Sequence, residues 1–167
     1  MNGMRVETSW RVYEHPCFVA QVKALRDEVA ALKNHCPGDY QNKSATKLLA
    51  AINKTRKAIS TDPTQEKFRL GDTLGAGYKH WFRAKFLGQY RLFFRYSLRE
   101  RIIILAWVND SQTREAYGHK RDAYKVFGAM LASGHPPDDW ETLVKETVKQ
   151  INLSLCEPQP LNIQNPA

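Results

Sequence analysis

The run Trp81-Phe-Arg-Ala-Lys-Phe-Leu-Gly-Gln-Tyr-Arg-Leu-Phe-Phe-Arg-Tyr96 has a hydrophobic period of two, and the residues between its apolar positions are mostly cationic. On extended backbone Trp81, Arg83 and Lys85 share one side, and Phe82, Ala84 and Phe86 the other. Past Gly88-Gln89, Arg91, Phe93 and Arg95 alternate in the same way with Leu92, Phe94 and Tyr96. Two such runs around a short glycine-containing loop predict an antiparallel hairpin with one oily face and one basic face. Arg91 and Lys85 are then expected to front one cleft. Ile102 to Val108 is apolar on both sides, as a doubly covered central strand requires.

The charge is concentrated. Lys79, Arg83, Lys85, Arg91, Arg95, Arg99 and Arg101 stand against the single acid Glu100, so this stretch supplies six of the chain's formal +8. Such a balance points to a polyanionic partner: nucleic acid, an acidic protein or an anionic membrane surface. With no apolar run near the roughly 20 residues of a spanning helix and no signal peptide at the start, no membrane anchor and a cytoplasmic location are expected. Cys17, Cys36 and Cys156 are odd in number and lack paired metal-type spacing, which favours reduced thiols. His15 near Cys17 and His35 beside Cys36 do not repeat as zinc ligands do. No metal and no cofactor are expected.

At 167 residues the chain suits one core. Ser9 to Tyr13 reads as a short edge strand. Pro16 suits a first helical turn, after which Phe18, Val22, Leu25, Val29 and Leu32 form one helical stripe ending at Cys36-Pro37-Gly38. Asp39 is read as the cap of a second helix, buried through Ala45, Leu48, Leu49, Ile52 and Ile59 and stopped at Asp62-Pro63. Its other side carries Lys43, Lys47, Lys54 and Lys57, either a solvated face or a stripe that tracks phosphates. Gly75-Ala76-Gly77 is an ordinary turn rather than a nucleotide loop. Asn109-Asp110-Ser111 offers cap chemistry to a segment with Ala116, Tyr117, Tyr124, Phe127, Met130 and Leu131, interrupted at Gly118. Gly134 to Asp138 is a stop and a new start before a final helix on Trp140, Leu143, Val144, Thr147, Val148 and Ile151. A single domain over 1–155 and a disordered tail over 156–167 are expected.

This element order resembles that of the RelE-like bacterial toxins, as does Arg83-Ala-Lys85 followed by Gly88-Gln-Tyr-Arg91-Leu-Phe. More specifically, Tyr13-Glu-His-Pro-Cys-Phe18, Lys47-Leu-Leu-Ala, Tyr90-Arg-Leu-Phe-Phe-Arg-Tyr96, Ile103-Ile-Leu-Ala-Trp-Val-Asn-Asp110, Asp122-Ala-Tyr-Lys-Val-Phe127 and Gly134-His-Pro-Pro-Asp-Asp-Trp-Glu-Thr-Leu143 resemble the YhaV branch, from about Trp10 to Lys149. The resemblance implies an α+β fold: a small, mostly antiparallel sheet packed against two N-terminal helices, with C-terminal helices added. It also implies a type II toxin that cuts mRNA, in much of the wider family on the ribosome. The implied partner is a PrlF-like antitoxin with an AbrB-type DNA-binding domain. The family's basic strand positions fall on Arg83 and Lys85, its strand arginine on Arg91 and its C-terminal tyrosine on Tyr117. Its further arginine has no in-register equivalent, and Arg114 is a neighbour able to substitute.

Metal-free RNA cleavage needs a deprotonated 2′-hydroxyl, stabilised phosphoryl oxygens and a protonated leaving group. An arginine is a poor proton shuttle but its planar fork suits phosphate, which makes Arg91 the clamp. Lysines crowded by cations release protons more readily, so Lys85 is the candidate base or relay. Tyr117 either orients or activates the 2′-hydroxyl, stacks on a base or belongs to the core, and His119 either does acid or base work, for which it has the titration range, or is an inert surface histidine. Arg95, on the Arg91 side but two residues on, either contacts a neighbouring phosphate or is simply solvated, and Lys120 is a candidate RNA contact beside the second-helix lysines. Trp81 and Phe93 either stack on bases or pack, Phe93 under the last helix. The rival readings are a non-catalytic RNA or ribosome binder and a DNA-binding regulator; the latter lacks a helix-turn-helix signature.

Overall fold

The computed structural model describes residues 9–111 and 122–156. Strand β1 (Arg11–Glu14) leads into α1 (Pro16–His35) and α2 (Ser44–Thr61). The hairpin β2 (Phe82–Phe86) and β3 (Tyr90–Ser97) is followed by β4 (Ile102–Val108). Helices α3 (Ala123–Ser133) and α4 (Trp140–Cys156) complete the described chain. The sheet order is β1-β4-β3-β2, with β1 parallel to β4 and the other pairs antiparallel. This is the expected α+β class, with a mixed four-stranded sheet. The expected tail and the first eight residues lie outside the described residues, except that α4 runs through Cys156.

The sequence explains where these elements begin and end. His15 caps α1 by accepting from the Cys17 amide at 3.2 Å, and Pro16 occupies the first turn, where no intrahelical donor is lost. Asp39 does not cap α2. It precedes a 3₁₀ turn, Tyr40–Asn42, accepts from Asn42, and pairs with Lys43, while the helix starts at Ser44. Gly134 closes α3 in the left-handed region at φ 83°, a conformation that costs glycine little.

The sheet is covered on both sides. Phe18, Val22, Leu25, Leu48 and Ile52 of α1 and α2 bury Ala84, Leu92, Phe94, Ile103 and Leu105. The opposite face is a second core, not a bare basic surface: Trp81, Phe93, Ile104, Ala106 and Trp107 pack under Tyr124, Phe127, Leu131 and Leu143 of α3 and α4. A register shift between Phe93 and Phe94 pairs Phe93 with Trp107 and Phe94 with Leu105. This irregularity turns Ala106 and Trp107 to the same side, and Phe93 stacks on Phe127 of α3 with centroids 4.2 Å apart.

α4 is tied to the start of α1 by the buried His15, whose Nε2 lies 2.7 Å from Glu146 Oε2. Burial lowers the His15 pKa below its ordinary 6.5, outweighing the opposing pull of Glu146. Both ring nitrogens are thus engaged in holding the fold. Burial also pushes the neighbouring Cys17 thiol up, the opposite of what a nucleophile needs.

Candidate active site

The register of β2 and β3 decides which cations meet. Lys85 stands directly opposite Arg91, and Arg83 opposite Phe93. Directly opposed residues have Cβ atoms about 4.5–5.5 Å apart, so Lys85 and Arg91 project side by side at the hairpin end of the sheet. Leu87, at φ 44°, and Gly88, at φ 76°, make the turn that holds them there.

α3 supplies the organising group. The Tyr124 hydroxyl accepts from Arg83 Nε at 3.0 Å and from Arg91 Nε at 3.1 Å. Its ring is buried edge-on to Phe93, 5.7 Å between centroids, while the Arg91 guanidinium lies 5.8 Å from the ring. Arg91 Nη1 donates to the carbonyls of Gly88 and Tyr90, and Arg83 Nη1 to those of Lys67 and Arg69. Each fork is fixed through Nε and Nη1, leaving Nη2 without a partner among the described residues. Lys85 is exposed beside them. Asn109 braces the hairpin: its Oδ1 accepts from the Arg91 amide at 2.7 Å and its Nδ2 donates to the Gln89 carbonyl at 3.1 Å. The sequence reading gave Asn109 to a helix cap; in the structure the cap of α3 is Asp122, accepting from the Tyr124 amide at 2.8 Å.

The other expected site residues divide. Arg95 shares the face but lies at its far end, between Trp81 and Trp140 at 5.4 and 5.3 Å, and donates to the Asp138 carbonyl. Burial lowers its pKa, as for a charge held inside the protein. Its placement corrects the expectation of a phosphate contact. Trp81 and Phe93, both fully buried, are closed to base stacking, and Trp81 Nε1 donates to Asp138. Lys47, Lys54 and Lys57 are exposed on α2, across the sheet from the arginines, and Lys43 is paired with Asp39 at 3.0 Å. The structure does not bring this stripe to the clamp. Arg114, Tyr117, His119 and Lys120 fall in 112–121, outside the described residues.

Tyr124 and Asn109 are the residues that sequence reasoning missed. Tyr124 was legible only as a stripe residue, because a helical period reports where the ring goes and not what the hydroxyl reaches.

Three converging cations with no carboxylate among them suit a phosphodiester and disfavour a divalent metal. The chain matches, over residues 12–148, a family model described as a toxin with endonuclease activity, of a toxin–antitoxin system. The chain belongs to this family. Among curated relatives, the ribonuclease toxin YhaV of Escherichia coli strain K12 is 52% identical over 141 residues, covering 83% of this chain and 92% of that protein. Toxin YhaV of Escherichia coli O157:H7 matches with the same identity and coverage. No solved structure matches the chain. Family membership therefore rests on sequence, and the geometry above shows how residues of this family are arranged. Among the described residues no helix is long and apolar enough to cross a membrane.

Proposed function

We propose that this chain is an endoribonuclease toxin of RelE-like fold that cuts mRNA by internal attack of a ribose 2′-hydroxyl. The 2′-oxygen forms a bond to the adjacent phosphorus, the bond to the 5′-oxygen breaks, and the leaving oxygen takes a proton. The products are a 2′,3′-cyclic phosphate and a 5′-hydroxyl. Arg91, supported by Arg83, stabilises the charge that builds on the phosphoryl oxygens. Lys85 relays a proton, and Tyr124 holds both forks in register. The sequence adds Tyr117 and His119 as candidates for the remaining proton transfer, and Arg114 and Lys120 as further phosphate contacts.

The observation that carries this reading is the direct opposition of Lys85 and Arg91 across two strands. Like charges so placed destabilise a sheet, and a phosphate between them converts the repulsion into binding. The family description, with its endonuclease activity, supports the same assignment. The partner is a PrlF-like antitoxin with an AbrB-type DNA-binding domain, acidic where it meets this +8 chain. Translating ribosomes in the cytoplasm are the proposed setting.

Arg91→Ala is the test, since its half-exposed side chain can be removed without opening the core. Losing the clamp costs several kcal/mol in the transition state, so growth inhibition and RNA cleavage should both vanish at equal soluble expression. A fully toxic Arg91→Ala protein overturns the assignment. A protein that arrests translation while leaving RNA intact would instead be a non-catalytic ribosome binder.

A further inference from the structure

Leu87 combines two features that no other described residue shares: a large apolar side chain open to water and a left-handed backbone. It is 57% exposed, belongs to neither core, and holds φ at 44°. An L side chain in that region crowds its own backbone, and hairpin turns place Asn or Gly at such positions. Arg101, the other described non-glycine residue at positive φ, has a packing partner, its guanidinium lying 4.9 Å from the Trp10 ring. Leu87 has no comparable reason within the fold. We propose that Leu87 is a wedge that unstacks the two bases flanking the phosphate held by Arg91, an inference that rests on the ribonuclease reading of that site.

Position comes first. Leu87-Gly88-Gln89 is the turn between Phe86 and Tyr90, the last pair of the hairpin. Those two rings stack, centroids 5.7 Å apart, on the α1 and α2 side, and Leu87 stays outside that core. The Arg91 fork reaches the turn from the α3 side. Its Nε donates to Tyr124, and its Nη1 donates to the Gly88 carbonyl at 2.7 Å. Leu87 directly precedes Gly88, so bond lengths alone keep its Cα within about 9 Å of that Nη1. One nucleotide and a leucine side chain span such a gap between them. Lys85, opposite Arg91, lies two residues before Leu87. A methyl group on the Gly88 Cα would meet no atom within 4 Å, so the tip of the turn has open space around it. A phosphate on the fork and the bases attached to it thus meet the turn without crossing the sheet.

The chemistry asks for such a side chain. Internal attack needs the 2′-oxygen, the phosphorus and the leaving 5′-oxygen close to one line. A stacked strand holds the 2′-oxygen to one side of the phosphate, so the two nucleotides must splay before they react. Splaying exposes base faces to water. An apolar side chain inserted at the step replaces the lost contact, as apolar wedges do where proteins kink nucleic acids. Leucine carries no donor or acceptor, so it opens a step without reading its sequence. The asparagine that the turn favours would hydrogen-bond its own backbone instead.

The experiment has two readouts, on the wild type, Leu87→Asn and Leu87→Met. In the first, short 2′-O-methyl RNA oligomers, which cannot be cleaved, carry 2-aminopurine beside adenine; its fluorescence is quenched by stacking and rises when the step opens. The wild type and Leu87→Met should raise the fluorescence at saturation, whereas Leu87→Asn should bind and leave it quenched. In the second, single-turnover cleavage is compared at a strongly stacked adenine step and a weakly stacked uridine step. Leu87→Asn should cut the adenine step about 10-fold more slowly, the scale of one stacking interaction, and the uridine step at nearly the wild-type rate, with Tm unchanged or raised. No fluorescence rise with the wild type, or a rise that survives in Leu87→Asn, overturns the wedge. Equal slowing at both steps also overturns it, because the leucine would then serve only the shape of the turn. So does a Leu87→Asn protein that is normal on RNA but binds the antitoxin more weakly, which would assign the side chain to that partner. A fluorescence rise with the wild type and no cut RNA would leave the wedge standing and remove the nuclease reading alone.

Discussion

Tyr124→Phe removes one oxygen atom, and the structure says what that atom holds. The hydroxyl accepts from the Nε atoms of both Arg83 and Arg91, at 3.0 and 3.1 Å, while the ring packs against Phe93 whether or not the oxygen is present. A hydrogen bond to a charged group contributes about 1.5–3 kcal/mol when its partners are dry. Both guanidiniums are half-exposed here, so water replaces part of each bond, and the net loss of stability should be about 1 kcal/mol. For a chain of this size that lowers Tm by about 2–4 °C. The effect on catalysis should be larger. With Nε released, each fork can swing about its remaining Nη1 contacts, and misplacement of a clamp by about 1 Å costs on the order of 100-fold in rate. Single-turnover cleavage of a defined RNA, with Tm measured on the same preparation, separates the two. The predicted result is a 10- to 100-fold slower step with a small fall in Tm and little change in RNA affinity. A Tyr124→Phe protein that cuts at the wild-type rate would refute the role given to the hydroxyl. Tyr124→Ala is the wrong variant, because deleting a buried ring costs about 3–5 kcal/mol and confounds folding with chemistry.

Lys85→Met should raise stability by about 0.5 kcal/mol by relieving its opposition to Arg91, yet abolish cleavage; a chemical denaturation midpoint that falls would contradict the repulsive pairing. Arg95→Ala should do the reverse, destabilising the protein by about 1–3 kcal/mol through loss of its contacts with Trp81 and Trp140, while RNA affinity per folded molecule stays at the wild-type level. Stability should also fall as pH drops below 6.5. His15, facing Glu146 and near His135, has its folded pKa depressed below 6.5, so the unfolded chain takes up the proton first and its contribution, present above 6.5, is lost as pH falls through the folded value. His15→Gln should flatten that slope in a pH series of thermal melts, and an unchanged slope would exclude His15 as its source.

The legible parts of this fold are those where one period dominates. The spacing of Phe18, Val22 and Leu25 placed α1 on the core, and alternation through Phe82–Phe86 and Tyr90–Tyr96 gave the hairpin and the shared side of Arg83, Lys85 and Arg91. Alternation could not show that the cationic side is itself covered. Trp81 and Phe93 fall on that side, and only the α3 residues Tyr124 and Phe127, far along the chain, turn it into a core. The same cause misplaced Arg95: its period assigns it to the RNA-facing side, but Trp140 and Asp138 close over that end of the sheet. Asn109 and Asp39 were mistaken for helix caps because their side chains suit any local amide. Here those side chains serve a hairpin and a 3₁₀ turn.

The central claim, that a cation-rich face drives internal attack by the RNA's own 2′-hydroxyl, is tested most directly at the cut site. Purified protein is incubated in EDTA with two RNAs that differ only by a 2′-deoxy substitution at the mapped position, and the termini of the products are identified. The account predicts cleavage of the all-ribose RNA to a 2′,3′-cyclic phosphate or its 3′-phosphate product, and none at the deoxy position. Cleavage that requires added magnesium, or that proceeds at the 2′-deoxy position, would contradict it.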